Sequence, residues 1–194
     1  TIEEHIALAR RFGDLYDYPA FPTHPDHPEL QVLGHTTYND VWHRDSTHLA
    51  PPPDFILLHC LSAPEVGGDT LWALMVAAYE QLAPPLPRLS PSGQHPLVHV
   101  HPVTGRKSLY VDRGYSSEIA GLPAHQGAAV LDLLQRHAER VDFQVRMRWR
   151  AGTVAIWDNR STMHYGPCMD YTWAAPTPSR RLLHRITVIA GPGL

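Results

Sequence analysis

The segment FQVRMRWRAGTVAIWDNRSTMH, residues 143–164, decides the fold class. Phe143, Val145, Met147 and Trp149 alternate with polar residues, which is the period-2 pattern of a half-buried strand. Ala151-Gly152 turns the chain back into a second strand over 154–157, and a polar turn, Asp158-Asn159-Arg160-Ser161, then leads to His164. Outward from this hairpin, strand-length apolar runs recur at 30–33, 55–60 and 182–190. Two more candidates, 97–100 and 108–111, flank a turn at Thr104-Gly105. Helical spacing is found in three places. Thr1 with Glu4 reads as a capping box before the Ile2, Ile6, Ala9 stripe of a short helix that ends by Gly13. Leu74, Ala77, Ala78 and Leu82 suggest a helix over 73–82, stopped by the proline cluster at 84–91. Val130, Leu131, Leu134 and Ala138 mark a third, over 123–137. Residues 16–28, rich in Pro, His and aromatics, read as loop, and Gly67-Gly68 as a turn. The chain shows no internal repeat and no linker, so 1–194 is expected to form one domain. Many short strands with a few helices predict a mainly β fold, a sandwich or barrel with flanking helices outside.

Composition narrows the function classes. Of the 194 residues, 43% are hydrophobic and 18% charged, as in an ordinary soluble domain. The net charge of −3 gives no basic footprint for nucleic acid or an anionic membrane. No apolar run reaches the roughly 18 residues of a spanning helix, and the first residues do not read as a signal peptide. Cys60 and Cys168 are too few for a disulfide framework and read as thiols in a reducing, cytoplasmic compartment. The expected partner is therefore a small molecule, with homo-oligomerisation left open. Nineteen prolines are about twice the usual share, and the 14 histidines are also many. Histidine is the commonest metal ligand, so spacing must select those that matter.

Three groups of residues carry the chemistry. In Trp42-His43-Arg44-Asp45, positions i and i+2 of an extended segment point to one side, so His43 and Asp45 can face a common point with Arg44 turned away. Taken alone, the pair reads more plainly as a solvated loop pair or a local hydrogen bond. His164 supplies a third candidate ligand, although a lone histidine at a strand end is more often a satisfied core residue. Together they make the 2-His-1-carboxylate set that leaves positions open on Fe(II) for O2 chemistry. Arg181 and Arg185 lie four apart on the last strand and share a face with Leu183. Inward arginines need anions, either a bound carboxylate or sulfonate or a protein carboxylate such as Asp158 or Asp170. Thr70, after Gly67-Gly68-Asp69, can add a hydroxyl to the same anion.

The ordered set WHRDSTHLAPPP, GGDTLW, HPVTGRKSLYV, WDNRSTMHYG and RRLLHRITVIAG resembles the taurine dioxygenase family of 2-oxoglutarate oxygenases, from about Phe12 to the C-terminus. The resemblance implies a double-stranded β-helix (jelly-roll, cupin-like) core and an oxidoreductase that uses Fe(II), 2-oxoglutarate and O2. It further implies hydroxylation of a small anionic substrate, a sulfonate, alkyl sulfate or aryloxy acid, with release of succinate and CO2. By position it implies His43, Asp45 and His164 as catalytic iron ligands and Thr70 with Arg181 on the distal carboxylate of 2-oxoglutarate. It implies Arg185 on the anionic group of the substrate and Asn39 as a pocket amide. The turn from Trp157 to Arg160 is expected to brace the strand carrying His164, and Trp42 to pack.

Departures from the family bear on the substrate. Tyr18 stands where a pocket histidine is expected and Phe21 where a tyrosine is expected, so the pocket should be more apolar than one built for taurine. His48 and Tyr115 are further pocket candidates. The spacing from His164 to Arg181 is long for the family, which leaves Arg180 or Arg185 as alternative anchors for 2-oxoglutarate. The 82–95 stretch and the approach to Trp42 are short, and the chain starts at Thr1. N-terminal strands and some internal loops of the parent protein are therefore expected outside these 194 residues, testable as an intact mass above 21.8 kDa. Two other readings fit parts of the pattern: a zinc or manganese cupin-like hydrolase or isomerase, and a non-catalytic relative that binds small anions.

Overall fold

Among the described residues every strand pairing is antiparallel. The computed structural model describes residues 1–17, 22–34, 39–47, 49, 51–82, 95–166 and 181–190. The larger sheet has the order β2 (Thr23–His24), β3 (His27–Leu33), β11 (Leu182–Ile189), β4 (Phe55–Ser62), β9 (Val154–Asp158), and β1 (Asp14–Tyr16) joins β11 beyond β3. A second sheet has the order β10 (Thr162–Tyr165), β5 (Thr70–Leu74), β8 (Gln144–Met147). A small ribbon pairs β6 (Val98–Val100) with β7 (Lys107–Leu109).

Alternation along the strands builds the layers. Ile56, Leu58 and Cys60 of β4 and Leu183 of β11 point inward to meet Trp72, Trp149 and Trp157 between the two sheets. The indoles pack edge to face, Trp72 to Trp157 at 5.5 Å and Trp72 to Trp149 at 6.4 Å between ring centroids. The opposite side of β11 and β4 carries Ile186, Val188 and Leu57, which α1 (Ile2–Ala9) covers with Ile6 and Ala9. The far face of the second sheet, through Ala73 and Met163, packs on α2 (Met75–Glu80) and α3 (Ala124–Ala138). Two sheets with helices outside are the jelly-roll arrangement expected from the family resemblance.

Local chemistry explains most elements. The Thr1/Glu4 capping box is formed, and α1 stops at Ala9, short of Gly13. Gly13 has φ +144, and a Cβ there would lie 2.6 Å from the Ile189 carbonyl, so only glycine lets β1 lie against β11. The third helix runs one residue past its expected end.

Two expectations are corrected. Residues 16–28 are not all loop, because Thr23–His24 and His27–Leu33 form a hairpin on β11. That pairing is long-range, and a Pro- and His-rich segment carries no local sign of it. Nor is 73–82 one helix. Thr70–Leu74 is a strand with Trp72 and Ala73 on opposite faces, and Leu74 is exposed. The helix starts only at Met75, whose N–H donates to the Ser161 carbonyl. Pairing on both sides, to β10 and β8, overrides the weak helical spacing. Among the described residues no helix is long and apolar enough to cross a membrane.

Beneath α1 lies a cluster of histidines. His5 is buried over His59 of β4, with ring centroids 5.7 Å apart. His59 faces His184 of β11 in register, and His24 approaches His184 at 6.2 Å. Neither ring nitrogen of His5 has a hydrogen-bond partner. Burial, reinforced by His59 and His184, pushes His5 down to about 4, and burial also lowers His184. A base whose folded pKa is depressed stabilises the fold above its unfolded value, near 6.5, and loses that contribution as the pH falls toward 4. Thermal unfolding is therefore expected at lower temperature at pH 5 than at pH 7. His5→Leu should flatten this dependence, and an equal slope in the variant would remove the cluster as its cause.

Candidate metal centre

The segment around residues 41–47 reaches the second sheet through one residue. His43 N–H donates to the His164 carbonyl at 3.0 Å and His164 N–H to the His43 carbonyl at 2.8 Å, an isolated antiparallel bridge. Two residues 121 positions apart are thereby held face to face, with ring centroids 4.1 Å apart. Gly114 backs His43, where a Cβ would lie 3.0 Å from the His43 Cβ. Trp157 packs against the His164 ring at 5.0 Å.

The donor atoms converge. His43 Nε2 lies 3.7 Å from Asp45 Oδ1, and His164 Nε2 lies 3.6 Å from Asp45 Oδ2. All three donors fall within 4.8 Å of one another, and all three residues are buried. Ligand atoms about 2.0–2.2 Å from a first-row metal stand roughly 3 Å apart, so the cluster is slightly wider than a closed site. His43 Nδ1 lies 2.7 Å from the Val41 carbonyl, so that nitrogen carries the proton and Nε2 keeps its lone pair for a metal. Asp45 Oδ2 is buried without a hydrogen-bond donor. A buried carboxylate oxygen in that state, where two imidazoles converge, fits a divalent metal.

The electrostatics suit ligation. Burial drives the Asp45 carboxyl upward, but Arg185, then His164 and His43, outweigh it and hold it below the usual carboxylate range. Burial, and then His43, pushes His164 down to about 3, which keeps it neutral. Arg185 Nη1 lies 3.2 Å from Asp45 Oδ1, so the protein carboxylate it meets is Asp45. Asp158 is engaged by Arg160 and His101, and Asp170 lies outside the described residues.

The other sequence-selected residues fall in four groups. Arg181 Nη1 donates to the Gly68 carbonyl at 2.9 Å, on the turn that leads to Thr70. Thr70 is buried, and its hydroxyl accepts the Trp149 indole N–H at 2.9 Å. Asn39 is exposed, and its carbonyl accepts the Gly166 N–H just beyond β10. Tyr115 senses the cluster, since burial and then the Asp45 charge raise its phenol. Tyr18, Phe21 and His48 lie outside the described residues.

The turn from Trp157 to Arg160 braces the strand carrying His164, with the Thr162 hydroxyl donating to the Asp158 carbonyl at 2.7 Å, and it also reaches the other ligand. Asn159 takes the Asp45 N–H on Oδ1 at 3.1 Å, and its amide donates to the carbonyls of Asp45 at 2.9 Å and Pro53 at 3.2 Å. The polar turn thus clamps the backbone of the carboxylate ligand 114 residues away. Arg160 ties the same turn to Asp54 and Asp158. Arg44, fully buried, does turn away from the cluster, donates to the Leu109 and Val111 carbonyls and stacks over Tyr110 at 4.3 Å. Trp42 packs on Tyr165 at 5.5 Å, as expected.

A family model described as "Taurine catabolism dioxygenase TauD, TfdA family" matches residues 1–90 and 85–187. The chain belongs to this family. It is similar to an alpha-ketoglutarate-dependent sulfate ester dioxygenase of Pseudomonas putida, 31% identical over 72% of this chain and 62% of that one. It is also similar to an alpha-ketoglutarate-dependent 2,4-dichlorophenoxyacetate dioxygenase of Cupriavidus pinatubonensis, 29% identical over 82% of this chain and 63% of that one. A solved taurine dioxygenase from Burkholderia xenovorans superposes with a TM-score of 0.86 and 34% identity, over 98% of this chain and 72% of that one. The chain thus spans somewhat under two thirds of the length of these two curated relatives. Dioxygenases of this family use Fe(II), 2-oxoglutarate and O2.

Asn159→Ala would leave the Asp45 N–H and two carbonyls unsatisfied in the interior, a loss of about 1–3 kcal/mol per buried group before relaxation. Metal affinity should fall roughly 10–100-fold with all three ligands still present. Calorimetric titration with Mn(II) reads this directly, and an unchanged affinity would show that Asp45 needs no backbone clamp.

Proposed function

We propose that the protein is an Fe(II)- and 2-oxoglutarate-dependent dioxygenase that hydroxylates a small anionic organic substrate and yields succinate and CO2. The observation that carries this reading is the buried cluster of His43, Asp45 and His164, whose three donors lie within 4.8 Å, with Arg185 against its carboxylate. His43, Asp45 and His164 would hold the metal, which when bound supplies the O2 chemistry. Thr70 and Arg181, joined at the turn before β5, would bind the distal carboxylate of 2-oxoglutarate, one through a hydroxyl and one through a guanidinium fork. Arg185 would orient the substrate's anionic group beside the metal. Asn39 and Tyr115 would border the pocket, with Tyr18 and Phe21 as the apolar contribution proposed from sequence.

The residues do two further things in this reading. The His43 Nδ1–H to Val41 bond fixes which nitrogen faces the metal. The Trp72, Trp149 and Trp157 layer excludes water from one side of the site. The relatives' activities on a sulfate ester, on 2,4-dichlorophenoxyacetate and on taurine share a substrate with an anionic group, which supports that class here. The free, buried Cys60 supports work in a reducing compartment, the cytoplasm.

The test is succinate formation from 2-oxoglutarate with Fe(II) and O2 against sulfonates, alkyl sulfates and aryloxy acids. One class should stimulate turnover, and His43→Ala should abolish it. Arg185→Met should raise KM for that substrate about 30-fold or more, the effect of truncating one partner of a buried charge pair, and Arg181→Met should act on KM for 2-oxoglutarate. The reverse assignment of the two KM effects would make Arg185 the 2-oxoglutarate anchor. No succinate with any compound, at one bound iron per chain, would end the oxygenase reading.

A further inference from the structure

We propose that Trp149 is a positioning residue for 2-oxoglutarate, acting through Thr70. This rests on the reading of Thr70 and Arg181 as the clamp for the distal carboxylate. The indole N–H of Trp149 lies 2.9 Å from Thr70 Oγ1, with both residues buried, at 2% and 4% exposure. An indole nitrogen can only donate, so it occupies an acceptor site of the hydroxyl. A hydroxyl has a single proton, and Trp149 cannot take it. The Thr70 proton is therefore directed away from the indole, available to an acceptor-only group such as a carboxylate. Arg181 reaches the same turn through the Gly68 carbonyl, two residues before Thr70.

The indole is itself held in place. Trp149 follows β8, which pairs with β5 through Thr70 opposite Met147, and Trp72 packs edge-on against it at 6.4 Å. The chain from indole N–H to hydroxyl O–H to carboxylate is polarised in one direction, and each bond strengthens the next. The plainer role for Trp149 is packing with a satisfied N–H. That role predicts a loss common to every ligand of the site, whereas the proposed role predicts a loss confined to ligands that reach Thr70.

The experiment is anaerobic calorimetry on the Mn(II)-loaded protein, which measures binding without turnover. Two ligands are compared: 2-oxoglutarate, which has a distal carboxylate, and oxalate, which offers only the metal-chelating end. Trp149→Phe keeps a ring and removes the N–H. It should weaken 2-oxoglutarate about 3–12-fold, the net worth of one hydrogen bond between neutral groups, and leave oxalate within twofold. Trp149→His, which returns an N–H donor, should recover part of the loss. Thr70→Val should weaken 2-oxoglutarate comparably, and Trp149→Phe should add nothing in that background. Wild-type oxalate affinity certifies a folded site in each variant. Equal losses for both ligands, no loss in Trp149→Phe, or full additivity with Thr70→Val would overturn the proposal while leaving the clamp standing. If Thr70→Val leaves 2-oxoglutarate binding unchanged, the clamp reading itself fails and the proposal falls with it.

Discussion

Burial of the Asp45 carboxylate is the constraint on which the rest of the site depends. An ionised carboxylate in the interior is tolerated only where other groups replace its hydration. Here Arg185 stands at 3.2 Å, two imidazole nitrogens at 3.6 and 3.7 Å, and one oxygen is left for a metal. Around this, the backbone of the same residue is gripped by Asn159 on both its N–H and its carbonyl. The side chain faces the chemistry while the main chain is pinned from behind. Ser46, the next residue, adopts a left-handed φ of 53°.

The sandwich serves this arrangement. His43 has no strand of its own and borrows one through a two-bond bridge to His164 on β10. The strand β10 pairs with β5, and β5 with β8, which brings Thr70 and Trp149 into the same layer. The larger sheet delivers Arg181 and Arg185 from the other side on β11 and the residue just before it. Inward alternation on β11 places Leu183 in the aromatic layer and Arg185 at the carboxylate, while His184, Ile186 and Val188 face α1. A one-residue slip in the β11 register would exchange the arginines for the histidine layer, so the tight pairing with β4 and β3 is also a condition for the site.

Much of the site was legible in the sequence because its logic is local and periodic. The i, i+2 spacing of His43 and Asp45, and the i, i+4 spacing of Arg181 and Arg185, each follow from the geometry of an extended chain. The capping box of α1 and the apolar stripe of α3 are similarly local. The structure departs from the sequence reading where pairing with distant strands overrides local preference, at Thr70–Leu74 and where residues 30–33 pair with β11. No spacing rule linked Asn159 to Asp45 or Trp149 to Thr70, because those contacts join residues 114 and 79 positions apart.

The sequence alone determined the kind of chemistry: which side chains can ligate a metal and which strands can bury one side. Those are properties of residue type and period, and they hold before any folding. The tertiary structure alone decided what each group meets. It showed that Arg185 faces Asp45 rather than Asp158, and that the polar turn clamps the Asp45 backbone. It also showed that the Trp149 indole N–H donates to the Thr70 hydroxyl. Hydrogen bonds and ion pairs act over about 3 Å, and only the packing of two sheets brings such distant segments within that range.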